Sequence, residues 1–213
     1  MIRELDKHIF EYIWHLYYTN QTDNDLLFKD NVPCDPSVWQ FPKHLMEYHE
    51  LVFESGRKAL HGKTVLDIGC GFGWYLSILE NMGVSKYIGI DPDVKSIKYA
   101  KIMIKNVNLD AEVSLNSVEN INCKADTILM LSVNHKLDDQ LSVFEKFECQ
   151  NIILDSWEFQ NDFNLDDIVN HFRTLNFQCT QKKLYDHDHD RDRDLIAGHI
   201  AGHRHILHFE KNP

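Results

Sequence analysis

The run Val65-Leu66-Asp67-Ile68-Gly69-Cys70-Gly71-Phe72-Gly73 constrains the fold more than any other part of the chain. Its apolar start reads as a buried strand, expected over 64–68. Three glycines at alternate positions then read as a turn whose backbone takes conformations closed to other residues. A helix then follows, running to Met82 and stopping at Gly83. A second signal follows twenty residues after Gly71: Tyr87-Ile88-Gly89-Ile90-Asp91-Pro92, a strand over 86–90 ending in an acid. Strand, glycine turn, helix and strand make a βαβ unit, which holds ligands beyond the carboxyl ends of its strands. An acid at the end of the second strand can accept both hydroxyls of a ribose. A nucleoside cofactor is therefore expected.

The spacing selects among cofactors. A dinucleotide turn carries G-x-G-x-x-G, and its pyrophosphate seeks helix N–H groups. Here the glycines are Gly69, Gly71 and Gly73, and Asp67 precedes them. An acid beneath the turn suits a cationic ligand. The segment resembles motif I of the class I S-adenosylmethionine-dependent methyltransferases, and Gly89-Ile90-Asp91 resembles their motif II. The resemblance covers most of residues 60 to 212.

The resemblance implies S-adenosyl-L-methionine as cofactor and methyl transfer as the reaction. It implies that the backbone at Gly69, Cys70, Gly71 and Gly73 cradles the methionine part. Asp67 would then lie near the ammonium, and Asp91, followed by Pro92, would hold the ribose. A third motif falls on Val113 to Glu119. Ser117, beside Val118, stands where the family usually has an acid that bonds the adenine amino group. Serine accepts such a bond without charge; Asn116 and Glu119 are neighbouring substitutes. Cys70 is otherwise read as a small buried residue.

Helical spacing marks residues 1–18, a proline-broken loop 19–42, and a second helix from about Lys43 to Leu60. Beyond the βαβ unit, helices are expected over 93–107, 138–147 and 165–176. Strands are expected near 111–115, 126–132, 152–154, 178–185 and 204–210. Alternating strands and helices imply an α/β, doubly wound, mostly parallel sheet with helices on both faces. By the family resemblance the sheet has seven strands, the last two forming an antiparallel hairpin. The expected domains are an N-terminal helical extension, 1–60, covering substrate and cofactor, and a methyltransferase domain, 61–213.

Composition narrows the partners. The 22 basic and 33 acidic residues leave a net charge of −11. Nucleic-acid binding wants clustered Lys and Arg, so it is not expected. No apolar run reaches the roughly 18 residues of a membrane span, and the N-terminus lacks the apolar core of a signal peptide. Five scattered cysteines without a C-x-x-C pair suit a reducing compartment. A cytoplasmic enzyme acting on a small molecule, at oxygen or nitrogen, is the expectation. The rivals are a tRNA-modifying enzyme and a catalytically silent cofactor-binding subunit. Gly89-Ile90-Asp91-Pro92 and Ala125-Asp126-Thr127 resemble the tRNA wobble-uridine carboxymethyl and methyl transfer family. Oligomeric state is left open.

The substrate side is less marked. The first 53 residues hold ten of the 24 aromatics. Most read as packing, but Trp39, Phe41 and His44 flank the proline-broken loop, where site residues concentrate. Ser132-Val133-Asn134-His135 corresponds to motif IV. Ser132 is read toward the cofactor, Asn134 toward the substrate, and His135 as a general base that titrates near neutrality. Asp155 resembles a metal-ligating acid of catechol-type O-methyltransferases, but Ser156 breaks that pattern. The tract Asp186-His187-Asp188-His189-Asp190-Arg191-Asp192-Arg193-Asp194 has alternating histidines, yet its composition reads as a solvated loop. No metal site is assigned.

Overall fold

The computed structural model describes residue 53 and residues 56–73, 75–131, 141–157, 165–185 and 204–213. A single helical turn, α1 (Arg57–Leu60), leads into β1 (Thr64–Ile68). Then follow α2 (Leu76–Asn81), β2 (Lys86–Asp91), α3 (Val94–Met103), β3 (Asp110–Leu115) and β4 (Thr127–Met130). After them come β5 (Asn151–Trp157), α4 (Leu165–Thr174), β6 (Phe177–Tyr185) and β7 (Arg204–Lys211). The seven strands form one sheet in the order β3-β2-β1-β4-β5-β7-β6. The first five run parallel to one another, and β7 runs antiparallel to both β5 and β6. The expected doubly wound sheet and its closing hairpin are both present.

The central strands are buried because helices cover both faces, which is why they read as unbroken apolar runs. Val65, Leu66, Ile68, Ile128, Leu129 and Met130 are all buried. One face packs β1 and β2 against α2 and α3 through Val65, Tyr87, Leu76, Leu79, Tyr99 and Met103. The other packs β4, β5 and β7 against α4 around Phe172, whose ring lies 4.3 Å from Phe209 and 5.0 Å from Phe144. Phe53 and Leu60 are buried in the first of these clusters. The Thr127 hydroxyl donates to the Ala59 carbonyl, which ties the segment before β1 to β4.

Helix boundaries follow local chemistry. Asp93 caps α3 by accepting from the Lys95 and Ser96 N–H groups, and the Ser96 hydroxyl donates to it at 2.7 Å. A 3₁₀ turn, Ile104–Asn106, finishes the helix expected to Val107. Gly83, at φ 74°, ends the α2 region in the left-handed conformation. Asn176 does the same after α4, which stops at Thr174 and not at Asn176.

Three expectations need correction. The helix expected over 138–147 is, where described, a 3₁₀ segment, Leu141–Lys146. Strand β4 ends at Met130, not residue 132, and begins after Asp126. Asp126 instead turns its carboxylate to accept from the Thr64 N–H at 2.8 Å. Strand β5 runs three residues beyond its expected end, because β7 pairs with Asp155, Ser156 and Trp157. The helix expected over 1–18 and the loop over 19–42 lie outside the described residues. No helix among the described residues is long and apolar enough to cross a membrane.

Candidate functional site

The glycine-rich turn is bound to the end of β2. Gly69 N–H and Cys70 N–H both donate to the Ile90 carbonyl, at 2.8 and 3.0 Å. Gly71 N–H donates to Asp91 Oδ2 at 2.9 Å. Gly69, Gly71 and Gly73 have φ of 73°, 54° and 87°, so all three need the left-handed region. At Gly73 a Cβ would also lie 2.6 Å from Leu76 Cδ1. The alternate spacing of the glycines thus answers a backbone requirement, and the turn ends where α2 begins.

Asp91 joins the two motifs. Its Oδ2 takes the Gly71 N–H, and its Oδ1 takes the Asp93 N–H at 2.8 Å. Each oxygen keeps a further lone pair for a ligand hydroxyl. Pro92, exposed, follows in a bend. The Asp91 carbonyl accepts from Asn116 N–H at 3.1 Å, which brings the segment after β3 beside it. There Ser117 is partly buried, and its hydroxyl accepts from Asn120 Nδ2 at 2.9 Å. The same hydroxyl lowers the pKa of exposed Glu119 by hydrogen bonding. Val118 is buried, and its carbonyl accepts from Lys146.

Asp67 lies beneath the turn, 1% exposed. Its Oδ2 accepts from the Tyr87 hydroxyl at 2.7 Å. Burial pushes its pKa up to about 7; the Tyr87 bond opposes that rise, and the nearby Asp91 charge adds to it. Cys70 is buried beside it, and burial pushes the thiol well above its usual range.

The structure therefore brings Asp67, Gly69, Cys70, Gly71, Gly73, Asp91, Pro92, Ser117 and Val118 to one end of the sheet. Asp155 lies in β5 at the same end, its backbone paired with Ile206. Trp39, Phe41, His44, Ser132, Asn134 and His135 lie outside the described residues, as does the tract 186–194. Among the described residues, no three His, Cys, Asp or Glu side chains converge as metal ligands would.

Sequence reading missed Tyr87 as a partner of Asp67. The signal was its place two residues before Gly89, on the same face of the strand. It also missed the burial of His205 and His208 on β7. Among the described residues, both ring nitrogens of His208 lack a hydrogen-bond partner, and burial lowers its pKa.

Residues 60–187 match a family described as a methyltransferase domain. A tRNA U34 carboxymethyltransferase of Campylobacter hominis is 32% identical over 92 residues, 42% of this chain and 32% of that protein. The chain spans about a third of the length of the curated relatives it matches. Among solved structures, magnesium protoporphyrin IX methyltransferase of Synechocystis PCC 6803, with bound S-adenosylmethionine, superposes with a TM-score of 0.61 at 16% identity, covering 97% of each chain. A Pyrococcus horikoshii protein assigned as an RNA methyltransferase gives a TM-score of 0.65 at 14% identity, covering 82% of this chain and 86% of its own. At such identities these two likenesses are of fold.

Proposed function

The chain belongs to the methyltransferase-domain family, matched over residues 60–187, and on that premise we propose that it methylates an oxygen or nitrogen atom of a small molecule. Its cofactor is S-adenosylmethionine, as the family and the class I sheet imply. The donor set fits that cofactor. Asp91 has lone pairs left for two hydroxyls, a left-handed glycine turn lies beside it, and an acid is buried below. When bound, the cofactor supplies a methyl group on a positively charged sulfur.

The residues of the chain then hold and align. Gly69, Cys70 and Gly71 present backbone to the methionine part, and Asp91 accepts the ribose hydroxyls. Ser117 and Val118 border the adenine, and Ser132 completes the cofactor wall. His135 takes the acceptor's proton, with Asp155 as its alternate, while Asn134 orients the acceptor. In-line displacement rests mainly on such alignment and on exclusion of water. Residues 1–60, with Trp39, Phe41 and His44, cover the site over the domain 61–213.

The observation that carries this reading is the Asp91 carboxylate held between the glycine turn and the start of α3. A net charge of −11 supports a small molecule over nucleic acid. The second reading is tRNA modification, favoured by the 32% identity to the Campylobacter hominis enzyme over 92 residues. Incubation with methyl-labelled S-adenosylmethionine and either a metabolite extract or bulk tRNA separates the two. Label in the metabolite fraction is expected; label in tRNA would replace this reading with the second. Label in neither, with cofactor binding intact, would favour a silent cofactor-binding subunit.

A further inference from the structure

Asp67 and Tyr87 meet across a gap in the sheet surface. The register sets Val65 beside Tyr87 and Asp67 beside Gly89. Tyr87 and Gly89 therefore share a face with Asp67. A Cβ at Gly89 would lie 2.9 Å from Tyr87 Cε1 and 3.0 Å from both Cys70 Sγ and Val113 Cγ1. Gly89 is thus needed for space, so that the Tyr87 ring can lie along the strand toward the turn. Its hydroxyl then reaches Asp67 Oδ2 at 2.7 Å, in a contact that is buried on both sides.

We propose that Tyr87 is a positioning residue for the cofactor's ammonium group, holding Asp67 charged and oriented beneath the glycine turn through the slot that Gly89 leaves. The inference rests on the S-adenosylmethionine reading above. The groups facing Asp67 are Tyr87 from β2, Asp91 from the end of that strand, and Cys70 from the turn. On the β4 side its register partner is apolar Leu129. None of these is a cation. Burial and Asp91 oppose the charge on Asp67, and the Tyr87 hydroxyl is the group that favours it. That hydroxyl keeps its own proton, because burial and Asp67 push its pKa well above 10. It therefore remains a donor at every pH the protein meets. A cation binding beneath the turn needs ionised Asp67, so binding strengthens as pH rises through about 7.

Calorimetry of S-adenosylmethionine binding from about pH 5.5 to 8.5 tests this, on the full chain and on Tyr87→Phe, which keeps the ring. Loss of the hydroxyl should move the pH midpoint up by about one unit and weaken binding by about fivefold near pH 7 and about tenfold at the acidic end, with the curves converging at alkaline pH. Gly89→Ala, which crowds the ring, should act in the same direction. Binding of 5′-methylthioadenosine, which has no ammonium, should be the same in Tyr87→Phe as in the parent. Superimposable pH profiles would overturn the proposal and leave the cofactor reading standing. So would an equal loss of methylthioadenosine binding, which marks Tyr87 as packing alone. A parent chain that binds neither ligand at any pH would overturn the cofactor reading, and the proposal with it.

Discussion

Gly71 donates its backbone N–H to the Asp91 carboxylate at 2.9 Å. The two residues stand twenty positions apart, one in each half of the βαβ unit. The acid that the proposal gives to the ribose is therefore also the clasp that closes the glycine turn. The two attachment points that the proposal gives the ligand are thus linked to each other within the chain.

That double duty makes Asp91 costly to change. Asp91→Ala removes the acceptor for Gly71 and Asp93 and the proposed ribose contact together. S-adenosylmethionine binding should weaken by about 1.5–3 kcal/mol, the range for hydrogen bonds to a charged group. Calorimetry measures it; unchanged affinity would remove Asp91 from the site.

Gly73→Ala should destabilise the fold. Its φ of 87° disfavours any side chain, and the new methyl would lie 2.6 Å from Leu76 Cδ1. A loss of about 1–3 kcal/mol is expected for a strained position of this kind. Urea titration with an unchanged slope would register it.

Asp67 gives stability a pH dependence of unusual sign. Its folded pKa is raised from 3.8 to about 7. The native state therefore keeps a proton that the unfolded chain gives up. The contribution is full below about pH 4 and is lost as pH rises to about 7. Asp67→Asn removes the burial of charge. It should melt above the parent at pH 8, gaining on the order of 2–4 kcal/mol, and near the parent at pH 4. Equal melting shifts at both pH values would contradict this origin.

His208 acts in the opposite direction. Burial lowers its pKa from 6.5. The unfolded chain protonates first, so stability is lost as pH falls below about 6.5 toward the folded value. Its ring nitrogens lack partners among the described residues, which leaves their desolvation uncompensated. His208→Leu should raise stability by about 1–3 kcal/mol at neutral pH, and by more at pH 5.5. Thermal melts at the two pH values check it.

The sheet core was legible because β1, β2 and β4 are apolar runs bounded by glycine or acid, and burial on both faces writes itself into composition. The turn was legible because three left-handed positions leave few choices but glycine. Other features have no local signature. The extension of β5 through Asp155 to Trp157 comes from pairing with β7, about fifty residues further on. The 3₁₀ form of Leu141–Lys146 shares its apolar spacing with an α-helix. Tyr87 looked like any strand aromatic; only the register set it against the acid of the neighbouring strand. His205 and His208 fall on opposite faces of β7, and a strand at a hairpin's inner position buries both.

Strand β6 lies parallel to β5, since β7 between them is antiparallel to each. Tyr185, at the end of β6, pairs with Arg204, which begins β7 and pairs in turn with Trp157. The connection over 186–203 therefore starts and finishes on the edge where β1 and β2 deliver Asp67 and Asp91. Its two ends are anchored by ladder pairing, and no strand of the sheet depends on its length. Doubling such a segment costs only about 0.6 kcal/mol of closure entropy. Residues can therefore be exchanged or added between Tyr185 and Arg204 without moving the ladder pairs that hold β6 and β7 in the sheet.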